Sequence, residues 1–464
     1  MTEPEAAAEA DGIDEALALL GPPAGRREQA PARNRDDKEP GRDPHGHRAT
    51  PWDRARDTAA HAGRAAPVPS RRVPLDAALG RILAEPLPAL TDLPSFDTSA
   101  MDGWAVAGPG PWEISDEGSV LAGHAGSDPL PDGTAVRIAT GARVPPDTTA
   151  VIRTEHSRVE PGGAGGSRTA GRGHLHALRE VVPGQDIRPR GQECRSGDQL
   201  LPAATLVTPA VLGMAAAAGY DELVTVVRPR VEVLVLGDEL LTSGVPHDGL
   251  IRDALGPMLG PWLRTLGVDV LATRRIGDDA AALHEAVTGS EADVVITTGG
   301  TAAGPVDHVH PVLHAAGAEL LVDGVKVRPG HPMLLARLAP GDRPESHRYL
   351  VGLPGNPLAA VSGLLTLAEP LLRGLAGRRP QEPYRAPVRD QVQGHPYDTR
   401  LVPVVHRAGQ AVPLHYAGPA MLRGLAAAEG LAVVPPGGAR PGDSLEVLGL
   451  PWAASASAGE GCFT

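Results

Sequence analysis

Between residues 230 and 378 the chain alternates continuous apolar runs with segments of helical spacing. VEVLVLG, VDVLATRRIG, ADVVITTGG and RYLVGLPG have the length and β-branched content of buried strands. The intervening stretches near 255–266, 278–288, 307–316 and 358–375 repeat apolar residues at helical spacing. That alternation predicts a doubly wound, mostly parallel α/β sheet. Outside it the pattern is shorter. WDRARDTAAHAGR, after Pro51, has helical spacing, and VPLDAALGRILAEPL predicts a second short amphipathic helix stopped at Pro86. From 96 to 187 the apolar runs WAVAG, TAVRIAT and TAVIRTE are punctuated by Gly, Pro and Asp, which predicts a small β-rich domain with EPGGAGGSRTAGRGH as a flexible hairpin tip. TPAVLGMAAAAG reads as a helix. After Arg379, the runs APVRDQV, TRLVPVVHR, GLAVVPPG and DSLEVLGL predict a small closing β-domain. There is no internal repeat.

Composition narrows the class. A chain of 464 residues is too long for one ordinary core, so several domains are expected. A formal charge of -13 with 21% charged residues argues for a soluble protein and against a broad nucleic-acid surface. The two cysteines, Cys194 and Cys462, are far apart and outside any CxxC or Cys/His cluster, so a disulfide scaffold or structural zinc is not expected. No apolar stretch reaches the roughly 20 residues that cross a bilayer, and the acidic N-terminus is unlike a secretory leader. No membrane association and a cytoplasmic location are the resulting expectations. Residues 22–50 are proline-rich and charged, a composition expected to be disordered. Lys38 and Lys326 are the only lysines, a bias that cautions against reading much into any one arginine.

Chemistry concentrates where strands hand over to loops. In an open parallel sheet, ligands sit beyond the carboxyl ends of the strands. LVLGDELLTSG brings Asp238 and Glu239 to that edge, TTGGTAAGPVD brings Gly299, Gly300 and Asp307, and LVGLPGNPLAAVSG brings Pro354, Asn356 and Pro357. LIRDALG adds Asp253, and GVKVRPGHP adds Lys326, Arg328 and His331. A glycine turn between strand and helix aims unpaired N–H groups and a positive dipole end at its guest, which favours an anion. Asp307 and the other carboxylates would repel a bare anion but suit one accompanied by a divalent cation; Lys326 and Arg328 suit the phosphate. Pro305 is expected in the first turn of the following helix, with Asp307 inside it, and Asn356 as a helix cap with Pro357 at the first helical position. Each turn alone also fits plain connection chemistry; it is their convergence on one sheet that points to a site. A second group lies in TDLPSFDTSAMDGWAV, which sets up Ser99 and Asp102, with RIATGARVPPDTTAVIRTE supplying Thr140 and Glu155.

These stretches, in order, together with IRPRGQECRSGD and MLRGLAAAEGLAVVPPG, resemble the molybdopterin molybdotransferase family, the bacterial MoeA type whose eukaryotic relative is the E domain of gephyrin. The likeness runs over roughly residues 50–450. It implies an α/β multidomain, elongated subunit: a disordered extension at 1–49, a helical linker domain from 50–95 with 188–229, a β-rich domain at 96–187, a doubly wound MogA-like molybdopterin-binding domain at 230–378, and a C-terminal β-barrel-like domain at 379–450. It further implies a homodimer whose site combines the doubly wound domain with the partner's β-rich domain. The reaction would insert molybdate into adenylated molybdopterin, releasing AMP with Mg2+. On that resemblance Asp102, Asp253, Asp307 and Arg328 take catalytic positions. Ser99, Thr140, Gly299, Gly300, Lys326, His331, Pro354, Asn356 and Pro357 bind substrate, and Asp238, Glu239 and Asp307 hold metal.

Departures from the family pattern suggest a competing class. Ala302 and Ala359 stand where the family has serine, His331 replaces a lysine, and Gln192 replaces a frequent glutamate beside Glu193. Each lost donor to a charged ligand costs roughly 1.5 to 3 kcal/mol, and a histidine is only partly charged near neutrality. The alternative is a divergent relative that holds or delivers the pterin cofactor without efficient insertion. A third is a different small-molecule enzyme on the same fold.

Overall fold

The computed structural model describes residues 49–115, 119–123, 128–161, 173–302, 307–339 and 347–453. The N-terminal extension, most of the expected hairpin tip, Pro305 and Cys462 lie outside the described residues. Chain contacts divide the molecule into two units, residues 71–225 and the remainder, Val226 onward with the segment up to Ser70.

In the larger unit the elements are α1 (Trp52–Ala65), β1 (Arg230–Leu236), α2 (Leu255–Thr265), β2 (Asp269–Ile276), α3 (Ala280–Thr288), β3 (Val294–Thr298), α4 (Val309–Ala315) and β4 (Glu319–Asp323). They continue with β5 (Val325–Arg328), β6 (Leu334–Leu338), β7 (Arg348–Leu353) and the long helix α5 (Pro357–Leu375). The main sheet runs β2-β1-β3-β7-β6-β4, with β2, β1, β3 and β7 parallel and β6 antiparallel to both of its neighbours, β7 and β4. Apolar runs read as strands because both faces are covered: Val231, Val233 and Val235 pack with α2 and α5, while Leu234 and Leu236 pack with α3 and α4. Glu232 is the exception within β1. It is buried, with its carboxylate held by Arg274 Nε at 2.6 Å and by the Ser290 hydroxyl. The sheet turns back on itself between β1 and β3, the position where such folds open a crevice.

Helix α5 is long and apolar enough to cross a bilayer by length and composition, yet 83% of it is buried in the protein, so it is a core helix. Its middle, Leu364–Ala368, is a π-turn, with the Glu369 N–H bonded to the Leu364 carbonyl. Pro370 is the physical reason: lacking an N–H, it leaves the Leu365 carbonyl without a helical donor. The Arg56 guanidinium of α1 supplies the missing hydrogen bond. Close packing of the two helices follows from glycine. A Cβ on Gly63 would lie 2.2 Å from the Leu371 carbonyl oxygen, and one on Gly374 would lie 2.6 Å from the Gly63 backbone. The Ala55, Ala59 and Ala62 face of α1 joins the core of the α/β unit.

The C-terminal strands β8 (Arg385–Pro387), β9 (Thr399–Arg407), β10 (Gln410–Pro413), β11 (Gly430–Val434) and β12 (Ser444–Gly449) form a second sheet. Its order is β5-β9-β11-β12-β8, with β10 on β9 and the two-residue strand Thr50–Pro51 on β5. The lysine- and arginine-bearing strand of GVKVRPGHP is therefore an element of the C-terminal sheet.

The unit of residues 71–225 carries a six-stranded sheet in the order Ala150–Arg153, Gly103–Val106, Thr134–Ile138, Trp112–Ile114, His174–Ala177, Ser157–Glu160. The helix Pro209–Ala217 is capped by the Thr208 hydroxyl on the Val211 N–H. VPLDAALGRILAEPL is corrected here: only Leu75–Ala78 is helical. Gly80 takes a left-handed φ of 73°, and Ile82 and Leu83 form bridges with Leu206 and Thr225. Pairing with distant segments outcompetes a helix this short.

Candidate functional site

The parallel register puts Arg275, Val235, Thr298 and Leu353 in one row at the carboxyl edge, and the turns that follow Thr298 and Leu353 touch. The Gly299 N–H donates to the Leu353 carbonyl at 2.8 Å, and a Cβ on Gly355 would lie 3.7 Å from Gly299 Cα. Gly299 and Gly300 have φ of 88° and 66°, backbone that other residues rarely adopt. A Cβ on Gly300 would press on Leu236 and Val309, so the turn is set tightly against β1 and α4. Among the described residues, the N–H groups of Gly300 and Thr301 have no backbone acceptor. Helix α4 begins at Val309, so Asp307 precedes the helix and is half-buried beside the turn.

Asp238 is exposed and its carboxylate sits beside Gly277, where a Cβ would lie 2.7 Å from Oδ1. Glu239 folds its carboxylate back over Gly237, and Arg275 Nη2 donates to the Gly237 and Asp238 carbonyls at 3.1 and 2.9 Å. Asp253 Oδ1 accepts from the N–H groups of Leu255 and Gly256 at 2.9 and 3.0 Å, so this residue caps α2, and its own N–H donates to the Leu241 carbonyl at 3.0 Å. Asp279 was not singled out on sequence. It caps α3 through Ala281 and Ala282, and those backbone hydrogen bonds hold its carboxyl below the usual range. An aspartate ahead of an alanine run is a legible capping signal.

The Asn356 turn differs from expectation. Its side chain makes no capping hydrogen bond; it is exposed, with Pro354 buried behind it. The Leu358 and Ala359 N–H groups at the start of α5 are taken by the Pro419 carbonyl at 2.9 and 3.3 Å. A carbonyl dipole from the C-terminal region therefore does the work expected of the asparagine, leaving its amide free of that task. Pro357 does occupy the first turn. Ala359 is 4% exposed, whereas Ala302 is at the surface.

The GVKVRPGHP turn packs on this helix start, since a Cβ on Gly330 would lie 3.1 Å from the Ala359 carbonyl. Val325 and Val327 are buried, so Lys326 and Arg328 alternate onto the opposite face of β5. Arg328 Nε donates to Asp398 Oδ2 at 2.8 Å, a partner absent from the sequence reading because it lies 70 residues away. His331 Nδ1 lies 2.9 Å from the Val325 carbonyl. That carbonyl requires Nδ1 to carry the proton and leaves Nε2 for a ligand.

In the unit of residues 71–225, Asp102 and Thr140 meet: Asp102 Oδ1 accepts the Thr140 N–H at 2.8 Å, and both are exposed. Gly103 is required here, as a Cβ would lie 2.0 Å from the Ile152 carbonyl oxygen. Ser99 lies just ahead of this turn. It is fully buried, and its hydroxyl donates to the Met101 carbonyl at 2.6 Å, shaping the turn that presents Asp102. Behind that turn, Arg153 donates to both Asp186 oxygens at 3.0 Å, which holds the Asp186 carboxyl low and raises Arg153, and the Asp186 carbonyl accepts the Ala100 N–H. This pair is also new relative to the sequence reading.

Among the described residues no three His, Cys, Asp or Glu side chains cluster as a metal cage. Magnesium is usually held by one or two carboxylates together with substrate phosphates, and the exposed Asp238 fits that mode. The carboxyl edge thus carries the Gly300 and Thr301 amides, Asp307 beside them and the exposed Asp238 and Asn356, groups suited to an oxyanion-bearing ligand accompanied by a cation, whereas Lys326 and Arg328 belong to the C-terminal sheet and Arg328 is engaged by Asp398.

Three family profiles match the chain: the MoeA N-terminal region (domain I and II) over residues 50–219, a probable molybdopterin binding domain over 232–374, and the MoeA C-terminal region (domain IV) over 385–450. The chain is 34% identical over 385 residues to molybdopterin molybdenumtransferase 2 of Mycobacterium tuberculosis, covering 78% of this chain and 90% of that protein. It is 31% identical over 384 residues to the molybdopterin molybdenumtransferase of Nostoc sp., covering 79% and 85%. The fold matches the crystal structure of the molybdopterin biosynthesis MoeA protein from Pyrococcus horikoshii with a TM-score of 0.67 at 22% identity, covering 87% of this chain and 100% of that one. With all three regions present in order and relatives of this identity spanning most of the chain, the protein belongs to the MoeA family of molybdopterin molybdenumtransferases.

Proposed function

We propose that this protein is a working molybdopterin molybdotransferase: it inserts molybdate into adenylated molybdopterin and releases AMP, in the cytoplasm, as a homodimer. The observation that supports this reading is the contact between the Gly299–Gly300 turn after β3 and the Gly355 turn after β7, beside Gly300 and Thr301 N–H groups that have no backbone acceptor among the described residues. In this reading the Gly300 and Thr301 N–H groups receive the substrate's phosphate. Asn356, relieved of capping by Pro419, hydrogen-bonds the pterin portion, and Lys326 with His331 Nε2 draws in molybdate. Asp238 and Asp307 would hold Mg2+ against the diphosphate, where the ion supplies charge neutralisation as the phosphoryl bond breaks. Asp253 orients the nucleotide through Oδ2 while Oδ1 stays committed to the helix. Glu239, turned back over Gly237, shapes the loop. Asp102 and Thr140 of one protomer close the site of its partner.

Purified protein incubated with adenylated molybdopterin, molybdate and magnesium is expected to release AMP in a molybdate-dependent way. Tight pterin binding without AMP would replace this reading with the delivery protein, which the missing hydroxyls at Ala302 and Ala359 favour. For the shared site, co-expressing Asp102→Ala and Asn356→Ala chains should restore part of the activity each lacks alone; no restoration in mixed dimers would confine each site to one chain.

A further inference from the structure

At the far end of α5 from the Asn356 turn, a cleft of about 840 Å3 opens between α1, the last turn of α5, residues 378–384 and the end of β12. Sixteen residues separate Pro357 from Arg373, about 24 Å along a helix axis, so the cleft is remote from the sheet-edge turns. Its inner wall gathers Arg56, Arg373 and Arg378 around Glu369, while Asp57, Glu382, Glu429 and Glu446 also line the cleft. Helical spacing alone would make Glu369 and Arg373 an ordinary i,i+4 pair, but their closest approach is 3.8 Å, too long for a hydrogen bond. Both are more than four-fifths buried, at 15% and 18% exposed. Arg378 Nε is buried with no hydrogen-bond partner among the described residues. Arg56 directs one nitrogen to the Leu365 carbonyl. Burial pushes the Glu369 carboxyl up despite the three guanidiniums, and pushes Arg373 and Arg378 down.

We propose that this cleft is a binding site for a small oxyanion, a phosphate or carboxylate group, held by the guanidiniums of Arg373 and Arg378. A planar guanidinium receives either group with two parallel hydrogen bonds. An anion between them offsets the guanidiniums that only Glu369 faces on this inner wall. At the mouth, Tyr384 packs edge-on to His406 with ring centres 5.4 Å apart and offers an apolar plate to the rest of such a molecule.

The test is calorimetric titration of the full-length protein with inorganic phosphate and, separately, with malonate at constant ionic strength. For at least one anion a saturable site is expected that depends on Arg373 and Arg378 and not on Lys326, beside any site at the sheet-edge turns, and which anion binds more tightly there identifies the source. Arg373→Gln and Arg378→Gln should each weaken binding about tenfold to a hundredfold, the loss of a charge-assisted donor. Glu369→Gln should tighten it, and Lys326→Gln at the sheet edge should leave it unchanged. Absence of saturable binding in both titrations, or binding that falls with Lys326→Gln and ignores the cleft substitutions, overturns the proposal. If the arginine variants do not fold, by circular dichroism, Glu369→Gln decides: unchanged affinity rejects the site.

Discussion

Asp253 carries two roles that substitution can separate. Its Oδ1 accepts from the Leu255 and Gly256 N–H groups at 2.9 and 3.0 Å, and the helix it starts buries Leu255, Leu259, Trp262 and Leu263 in the main core. Its Oδ2 lies on the Gly256 side, where a Cβ would be only 2.3 Å away, and accepts none of those bonds. Asp253→Ala removes the acceptor for both amides, and loss of a helix cap costs about 0.5–2 kcal/mol. With two amides orphaned at a partly buried helix start, the upper half of that range is expected. In a domain of 150–250 residues, 1 kcal/mol moves the midpoint by roughly 2–4 °C, so calorimetry should see a drop of about 2–8 °C. Asp253→Asn keeps an acceptor of the same reach and should melt within about 0.5 kcal/mol of the parent. Its neutral amide, however, removes the negative charge assigned to nucleotide positioning, so molybdate-dependent AMP release should fall at least about tenfold. An alanine variant melting with the parent would refute the cap. An asparagine variant with full turnover would reduce Asp253 to a cap and remove it from the chemistry.

Gly63→Ala should destabilise the larger unit by about 1–3 kcal/mol, the range for overpacking against backbone, read as a lower urea midpoint; an unchanged midpoint would mean α1 and α5 are not in backbone contact. The Arg153–Asp186 pair gives a pH signature. Because the folded state holds Asp186 low, its stabilisation is present above the ordinary aspartate range near pH 4 and disappears as pH falls through the lowered folded value. Asp186→Asn should flatten the acid limb of a stability-against-pH curve, and parallel curves for the two proteins would contradict the assignment. Restoring serine at the exposed position 302 should strengthen molybdate-dependent turnover without altering the melt. Serine at the 4% exposed position 359 must find a buried acceptor, so its cost or benefit should appear first in thermal stability. If serine at 302 changes nothing in molybdate dependence, the lost hydroxyl is compensated by another group.

The local code of this chain determined its strands and most of its helices. Apolar runs such as VEVLVLG and ADVVITTGG fit central strands buried on both faces, and the glycine pair after ADVVITT takes the left-handed backbone a tight turn needs, so the parallel core and the sharp turn after β3 were legible. The meeting of Asp102 with Thr140 was anticipated as a neighbour relation and is now a hydrogen bond. Tertiary structure alone decided the rest. Asp398 reaches Arg328 across 70 residues, Pro419 displaces Asn356 as the cap of α5, and Arg56 fills the hydrogen-bond vacancy that Pro370 creates. It also turned Ser99 inward and drew Ile82 and Leu83 away from a helix into bridges. Spacing along a chain reports which face a residue shares with its neighbours a turn away; which partner satisfies a donor or a charge depends on segments brought close only by folding, and no local pattern encodes that choice.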